Sequence, residues 1–213
     1  LDRIAEEKAE LVRTKQIKKE KPLPPVSDDD TPFDIPSGWE WHKLGACASY
    51  VQRGKSPSYV IKSSIPVISQ KCVRWSGLDM SPARFIDEDT LIKYKKVRLL
   101  QPNDILWNST GDGTVGRACL YEFIDHKIAV ADSHVTVIRT PFAKFFSYCI
   151  ASAYVQNNLA VQGSTKQTEL NLTTIKGQLL PLPPLEEQKE IVRILDSLNR
   201  ADTSIDELHP IVA

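Results

Sequence analysis

Pro181, Pro183 and Pro184, clustered late in the chain, constrain its fold more than any other feature. Proline fixes φ and has no backbone donor, so a continuous helix through this stretch is forbidden. The run Gln178-Leu-Leu-Pro-Leu-Pro-Pro-Leu-Glu-Glu-Gln instead predicts an extended, polyproline-like approach. Pro184 suits a first helical turn, where its missing N–H costs nothing. Glu186 and Glu187 then lie at the positive end of the helix. From there Ile191, Ile194, Leu198, Ala201, Ile205 and Leu208 follow a/d heptad spacing. One reading is a globular body that ends at a proline hinge and hands over to a helix with an apolar seam. The other is a closing helix packed on its own domain, since fewer than three or four heptads do not specify a coiled coil.

The chain has 213 residues, room for one good core and one attached element. Its 41% hydrophobic and 25% charged residues are ordinary for a globular protein. No apolar run reaches transmembrane length and the start shows no signal-peptide pattern, so no membrane partner is expected. Leu1 in place of Met points to a piece of a longer chain. Cys47, Cys72, Cys119 and Cys149 are scattered with no C-x-x-C pair, which argues against a disulfide framework or a zinc site. Reduced, cytosolic thiols are the default.

Net charge is zero, but its distribution is uneven. Residues 33–185 carry seventeen Lys/Arg against twelve Asp/Glu, whereas residues 186–213 carry three against seven. Within the basic body, residues 41–78 hold Lys43, Arg53, Lys55, Lys62, Lys71 and Arg74 and no acid. Such a stretch raises the local potential whatever the overall balance. A solvated loop with chance charge spacing is the alternative.

Residues 1–20 read as a helix whose narrow stripe of Leu1, Ile4, Leu11 and Val12 needs a partner. Residues 21–32, rich in proline and acid, read as an extended, solvated linker. Phe33, Trp39 and Trp41 open a body that runs to residue 183. Its short β-branched and aromatic runs, at 65–70, 105–107, 118–124, 128–130 and 134–139, predict strands. Asp87 to Leu91 starts a short helix, and residues 142–161 predict one largely buried helix. The fold class is therefore a β-rich α/β (α+β) domain flanked by an N-terminal helix and, from residue 184, a coiled-coil-like heptad helix.

Gly111-Asp-Gly-Thr-Val-Gly matches G-x-G-x-x-G, but the following Arg117-Ala-Cys-Leu-Tyr-Glu is strand-like, whereas a dinucleotide site needs a helix there. A polar, glycine-rich loop between strands fits better. Ser109, Thr110, Thr114 and backbone N–H groups there, with Arg117 beside them, suit a phosphate; a plain tight hairpin is the other possibility. The loop Gly163-Ser-Thr-Lys-Gln-Thr-Glu is donor-rich: Lys166 and Gln167 suit base edges and Ser164 and Thr165 suit phosphates. Equally, Thr168, Asn171 and Thr173 suit caps for a short helix over 173–176. Asp132-Ser-His has triad-like residue types, but neighbours on a strand point to opposite faces and form no relay. His42, His126, His134 and His209 lack metal-ligand spacing. No catalytic motif stands.

Taken together, Arg53-Gly-Lys-Ser-Pro, Ile65-Pro-Val-Ile-Ser-Gln-Lys-Cys-Val-Arg, Asp104-Ile-Leu-Trp-Asn-Ser-Thr-Gly-Asp-Gly-Thr-Val-Gly-Arg, Asp132-Ser-His-Val-Thr-Val-Ile-Arg, Gly163-Ser-Thr-Lys-Gln-Thr-Glu-Leu-Asn and Pro181-Leu-Pro-Pro-Leu-Glu-Glu-Gln give a chain that resembles the specificity subunit of type I restriction-modification enzymes. The resemblance implies a non-catalytic, cytoplasmic prokaryotic protein that reads half of a split target in double-stranded DNA. It implies helices that set the gap and dock modification subunits, with restriction subunits joined through them. S-adenosylmethionine, ATP and Mg would belong to those partners and no cofactor to this chain. One recognition domain with the start of one helix makes it a fragment, or a half-subunit pairing with a second domain or second copy. Asp112 departs from a phosphate-binding loop.

The expected DNA-facing set is Arg53, Lys55, Ser56, Gln70, Lys71, Arg74, Ser109, Thr110, Gly111, Gly113, Thr114, Arg117, Ser164, Thr165, Lys166 and Gln167. Gln70, Lys71, Lys166 and Gln167 include the base readers. Ile191, Ile194, Leu198, Ile205 and Leu208 form the expected helix interface; its expected partner is the conserved helix of the same subunit in an intact protein, and the first arm or a second copy in a fragment.

Overall fold

The computed structural model describes residues 1–111, 113–122, 127–159 and 169–208, with side chains described as far as Arg200. Helix α1 (Asp2–Arg13) leads through the proline-rich segment to strand β1 (Glu40–Lys43). Strands β2 (Tyr50–Arg53) and β3 (Ile65–Ile68), the hairpin of β4 (Val73–Arg74) and β5 (Gly77–Leu78), and β6 (Arg84–Ile86) follow. After helix α2 (Glu88–Leu91) come β7 (Ile105–Asn108), β8 (Ala118–Leu120), β9 (Val130–Ala131) and β10 (Val135–Arg139). Helices α3 (Ala143–Ala151), α4 (Ala153–Asn157) and α5 (Leu172–Gly177), strand β11 (Leu179–Leu182) and helix α6 (Leu185–Leu208) complete the order.

Among the described residues, the main sheet has strand order β2-β10-β7-β8, with β10 antiparallel to both β2 and β7. Both its faces are buried, so β7 and β10 read as nearly unbroken apolar runs. Val51, Ile105, Trp107 and Ile138 face α3, α4 and α5 in one core. Tyr50, Leu106, Val135 and Val137 face the other way, onto Ile68, Val73 and Ala131. A smaller sheet, β6-β3-β9, closes that second layer, with β3 and β9 parallel. Asp87 caps α2 by accepting from Thr90 N at 2.8 Å, and Asn171 caps α5 by accepting from Thr174 N at 2.8 Å.

The far end of β10 is fixed by a buried ion pair. Arg139 donates Nε to Asp104 Oδ1 at 2.8 Å and Nη2 to Asp104 Oδ2 at 2.7 Å. The same guanidinium reaches the carbonyls of Val97 at 3.3 Å and Leu99 at 3.1 Å. Asp104 is 1% exposed. Burial pushes its carboxyl above the usual carboxylate range, against the opposing pull of Arg139.

Several expectations change. The first helix stops at Arg13, because Thr14 caps it and Lys15 turns the chain at φ 55°. Its partner is the body: Ile4 is buried, and Leu11 with Ile17 packs against the second core. The linker touches the body too, since Lys43 Nζ donates to Pro24 O at 2.9 Å. The proline stretch is a strand and not a free polyproline segment: β11 pairs antiparallel with β1, placing Pro181 opposite Trp41. The single helix expected over 142–161 is broken at Ser152, whose ψ of 151° is extended and whose hydroxyl caps α4.

The closing helix does not leave the body at once. Gln188 is buried and donates Nε2 to Pro183 O at 2.7 Å. Ile191 and Val192 pack against the first core, and Tyr148 on α3 bonds Asp196 through its hydroxyl. Ile191, expected on the outward seam, is therefore a body contact. Ile194 and Leu198 are exposed, at 43% and 56%.

Stripping one partner from a buried pair leaves an uncompensated charge, which costs about 3–5 kcal/mol. Arg139→Ala is expected to lose stability of that order in chemical denaturation. Arg139→Lys should recover only part of it, because an ammonium cannot reproduce the two-pronged contact.

Candidate nucleic-acid interface

Antiparallel pairing decides which loops meet. Val135 lies opposite Asn108 and Thr136 opposite Arg53, so the ends of β2 and β7 and the start of β10 share one rim of the main sheet. β3 and β9 run parallel and end beside them: Asp132 N donates to Ile68 O at 2.9 Å. Four segments thereby converge, at 53–56, 69–71, 109–117 and 132–134. Residues 169–170 join them, through Leu170 N to Ser109 O at 2.7 Å.

The first segment sits where only glycine fits. A Cβ on Gly54 would lie 2.1 Å from Ala131 O and 2.3 Å from Asp132 O. The close approach is held by Gly54 N to Val135 O at 2.9 Å and Lys55 N to Ala131 O at 3.0 Å. Beyond it, Lys55 is exposed over the Tyr94 ring at 5.1 Å, and Ser56 Oγ lies 2.6 Å from Ser133 Oγ.

The 109–117 loop joins antiparallel β7 and β8, so no helix starts in it. Its base is clamped by Asn108 N to Arg117 O at 2.8 Å and Gly116 N to Asn108 O at 3.0 Å. Trp107 Nε1 and Gln156 Nε2 both donate to Gly116 O, at 3.0 and 3.2 Å. Gly116 needs to be glycine: φ is 89°, and a Cβ would meet Gln156 Oε1 at 2.8 Å. Gln70 reaches over the loop, its Nε2 lying 3.3 Å from where a Gly111 Cβ would stand.

Asp132 organises the rim. Its buried carboxylate accepts from His134 N at 3.0 Å, from Ser133 Oγ at 3.3 Å and from the Tyr59 hydroxyl. Burial, then the Asp132 contact, pushes the Tyr59 phenol well up. His134 in turn holds Thr110 through Nδ1. Asp132, His134 and Tyr59 were not among the expected site residues. The Asp132-Ser-His triplet was the available signal, and its role is to tie loops.

The remaining expected residues divide. Lys55, Ser56, Gln70, Lys71, Thr110, Gly111, Gly113, Thr114 and Arg117 lie on the converging segments, with Lys71 exposed. Three others are placed differently. Arg53 is occupied: Nη1 is 2.7 Å from Glu169 Oε1 and Nη2 donates to Leu170 O at 2.6 Å. Ser109 is wholly buried against Thr136 and cannot meet a ligand. Arg74 sits on the β4–β5 hairpin laid against β8, with Nη2 3.6 Å from Asp79 Oδ2. The acid-free run was acid-free only along the chain, because Glu169 and Asp79 reach it in space. Ser164, Thr165, Lys166, Gln167 and Asp112 lie outside the described residues, as do the side chains of Ile205 and Leu208. No group of three or more metal-ligating side chains occurs among the described residues.

Losing the charged contacts of Arg53 removes about 1.5–3 kcal/mol. Arg53→Ala is expected to lower the melting temperature accordingly, while Lys71→Ala stays within about 0.5 kcal/mol of the parent. Equal melting temperatures for the two variants would remove the structural role given to Arg53.

Comparison with known proteins agrees with this architecture. The family described as Type I restriction modification DNA specificity domain matches residues 36–209. The chain is 28% identical over 206 residues to the Type I restriction enzyme EcoEI specificity subunit of Escherichia coli, covering 92% of this chain and 35% of that one. It thus spans about a third of that relative's length. In fold it is similar to a chain from a structure of complex assembly and conformational transition in the type I R-M system. The TM-score is 0.63 at 18% identity, over 96% of this chain and 48% of that one. It is also similar to the HsdS subunit from Thermoanaerobacter tengcongensis, with TM-score 0.59 at 19% identity over 83% of this chain and 46% of that one. A match from before β1 through α6, over a sheet whose loops meet at one rim, shows that the chain belongs to the type I restriction-modification DNA specificity domain family.

Proposed function

We propose that residues 33–183 read one half of a bipartite DNA target, and that the helix from residue 184 couples this reading to modification subunits. The observation that carries it is the convergence of the four strand-end segments and residues 169–170 on one rim, with Lys55 and Lys71 exposed there and Gln70 beside them. Among the described residues two nearby acids are otherwise engaged: Asp132 is buried and Glu169 pairs with Arg53. Cations on loops suit phosphates, which position a duplex, while long amide and ammonium groups suit purine edges, which specify it. Gln70 and Lys71 are assigned as base readers, Thr110, Thr114 and Arg117 as backbone contacts. Chemistry on the DNA is left to partner subunits carrying S-adenosylmethionine, and translocation with ATP and Mg to a restriction subunit joined through them. The setting is the cytoplasm, and no described helix is long and apolar enough to cross a membrane.

A second reading, a scaffold whose helices carry the interactions and whose body leaves DNA alone, has one observation in its favour. Ile194 and Leu198 are exposed on α6, where they would suit another helix. The two readings separate on DNA. If the body reads DNA, log K for duplex falls linearly with log salt. Gln70→Ala then changes which sequence is methylated in the assembled system more than how much DNA is bound. Equal loss of binding to all sequences would cancel the assignment of Gln70.

The seam has its own test. Burying a leucine is worth about 1.5–3 kcal/mol, so Leu198→Asp is expected to weaken helix-mediated association and leave the melting temperature of the body unchanged. Ile191→Asp is expected to lower that melting temperature, because Ile191 lies against the core. Melting beside a sizing measurement reads both.

A further inference from the structure

A hollow of about 250 Å³ opens between the arm that follows α1 and the flank of β2. Lys18 lines it from the arm, Lys55 from beyond β2, and Lys95 and Arg98 from the short turn before β7, with Tyr50 and Gln52 at its floor. Among the described residues one carboxylate lines it, Glu20, and Glu20 lies 2.6 Å from Lys176 Nζ.

The concavity is built rather than a chance gap between loose side chains. Lys95 Nζ donates to Lys15 O at 2.5 Å and Gln16 O at 3.4 Å, tying the arm to the body. Val97 N donates to Gln16 Oε1 at 3.4 Å. The helix end is closed by Gln16 N to Leu11 O at 2.9 Å and Ile17 N to Leu11 O at 3.2 Å, and Ile17 is packed on the core beneath. Arg98 donates Nη1 to Arg53 O at 2.8 Å. Its guanidinium is thereby fixed between the hollow and the last residue of β2, where the rim begins.

We propose that this hollow is a phosphate seat and that it takes a backbone phosphate of the duplex lying across the rim. The proposal rests on the DNA reading above. Its chemistry is that of an anion site: three lysines and an arginine line one small volume, and the acid in its wall is drawn to Lys176. It fits a phosphate because most of the charged side chains around it are cations, and an arginine fork suits phosphate oxygens. Lys55 lies on both rim and hollow, so one strand can run from the loops that read bases into the seat. The N-terminal arm thereby positions the duplex without contributing to its sequence.

The test uses the full chain and a duplex containing the methylated target, with log K plotted against log salt. Lys18 is exposed and no described contact holds it, so Lys18→Gln leaves the fold intact. The slope should drop by about 0.9, the value for one phosphate contact. Lys18→Arg should keep the parental slope, and preference among sequences should be the same for all three proteins. An unchanged slope for Lys18→Gln, beside a salt-dependent parent, overturns the seat and leaves the DNA reading standing. A parent that binds no duplex at any salt overturns both. Inorganic phosphate, titrated at constant ionic strength, tells the source of the anion. Saturation of the parent by phosphate with no loss of duplex binding would mark a free-anion site and overturn the backbone assignment, whereas competition supports it.

Discussion

The Arg139–Asp104 pair fixes the end of β10 away from the rim, and β10 is the strand on which the loop arrangement depends. As a buried ion pair it is a weak source of net stability, since desolvation offsets most of the attraction. Its consequence is positional. One guanidinium engages a carboxylate just before β7 and the carbonyls of Val97 and Leu99, so the 97–99 turn and the start of β7 are set against β10 together. Slipping β10 by one residue would exchange its two buried faces, an error the pair and both cores oppose. At the opposite end Asp132 performs the matching task for the turn into β10. Between these two carboxylates the register is closed, and the ends of β2 and β7 are carried to the same rim.

The rim then separates two kinds of polar side chain. Arg53, Ser109 and Asp132 point inward and hold segments together, while Lys55, Gln70 and Lys71 lie on the surface of the same segments. This division lets a rigid sheet present loops of changeable chemistry, since residues that fix loop paths are distinct from those available to a ligand. Gly54 belongs to the first kind. Its missing side chain lets β2 approach the β9–β10 turn, which places Lys55 where it is.

Local signals were legible in the sequence and distant ones were not. The β-branched runs mark β3, β7 and β10, and Asp87 and Asn171 mark the starts of α2 and α5, because strand pattern and caps are properties of a few neighbouring residues. β11 was hidden because its proline signals a break, while its pairing with β1 depends on residues far off along the chain. The break at Ser152 was hidden by an apolar pattern that runs through it. The acid-free stretch misled for the same reason as β11: Arg53 meets Glu169 only after the chain has folded. The loops that meet at the rim could be recognised one by one as polar and glycine-rich. Their meeting follows from strand order, which no single segment encodes.

The closing helix shows how one sequence pattern can conceal two surfaces. At 100° per residue, Gln188, Val192, Leu195 and Asn199 fall on one side, and Ile194 and Leu198 about a third of a turn away. Ile191 lies between the two groups, which is why heptad spacing assigned it outward while the structure packs it inward. Ala201, Ile205 and Leu208 continue the outward group in sequence. The first turns of the helix are anchored by polar as well as apolar contacts. Trp39 Nε1 donates to Glu187 at 3.0 Å, the Tyr148 hydroxyl bonds Asp196, and Lys144 Nζ lies 3.4 Å from the same carboxylate. A helix fastened at several points over its first turns cannot swivel on its proline hinge. Whatever packs on Ile194 and Leu198 is consequently held at a set orientation to the rim, through α3, the first core and β10. The proline cluster that forbids a continuous helix thus ends in a rigid junction, because β11 binds the chain before it and α3 binds the chain after it.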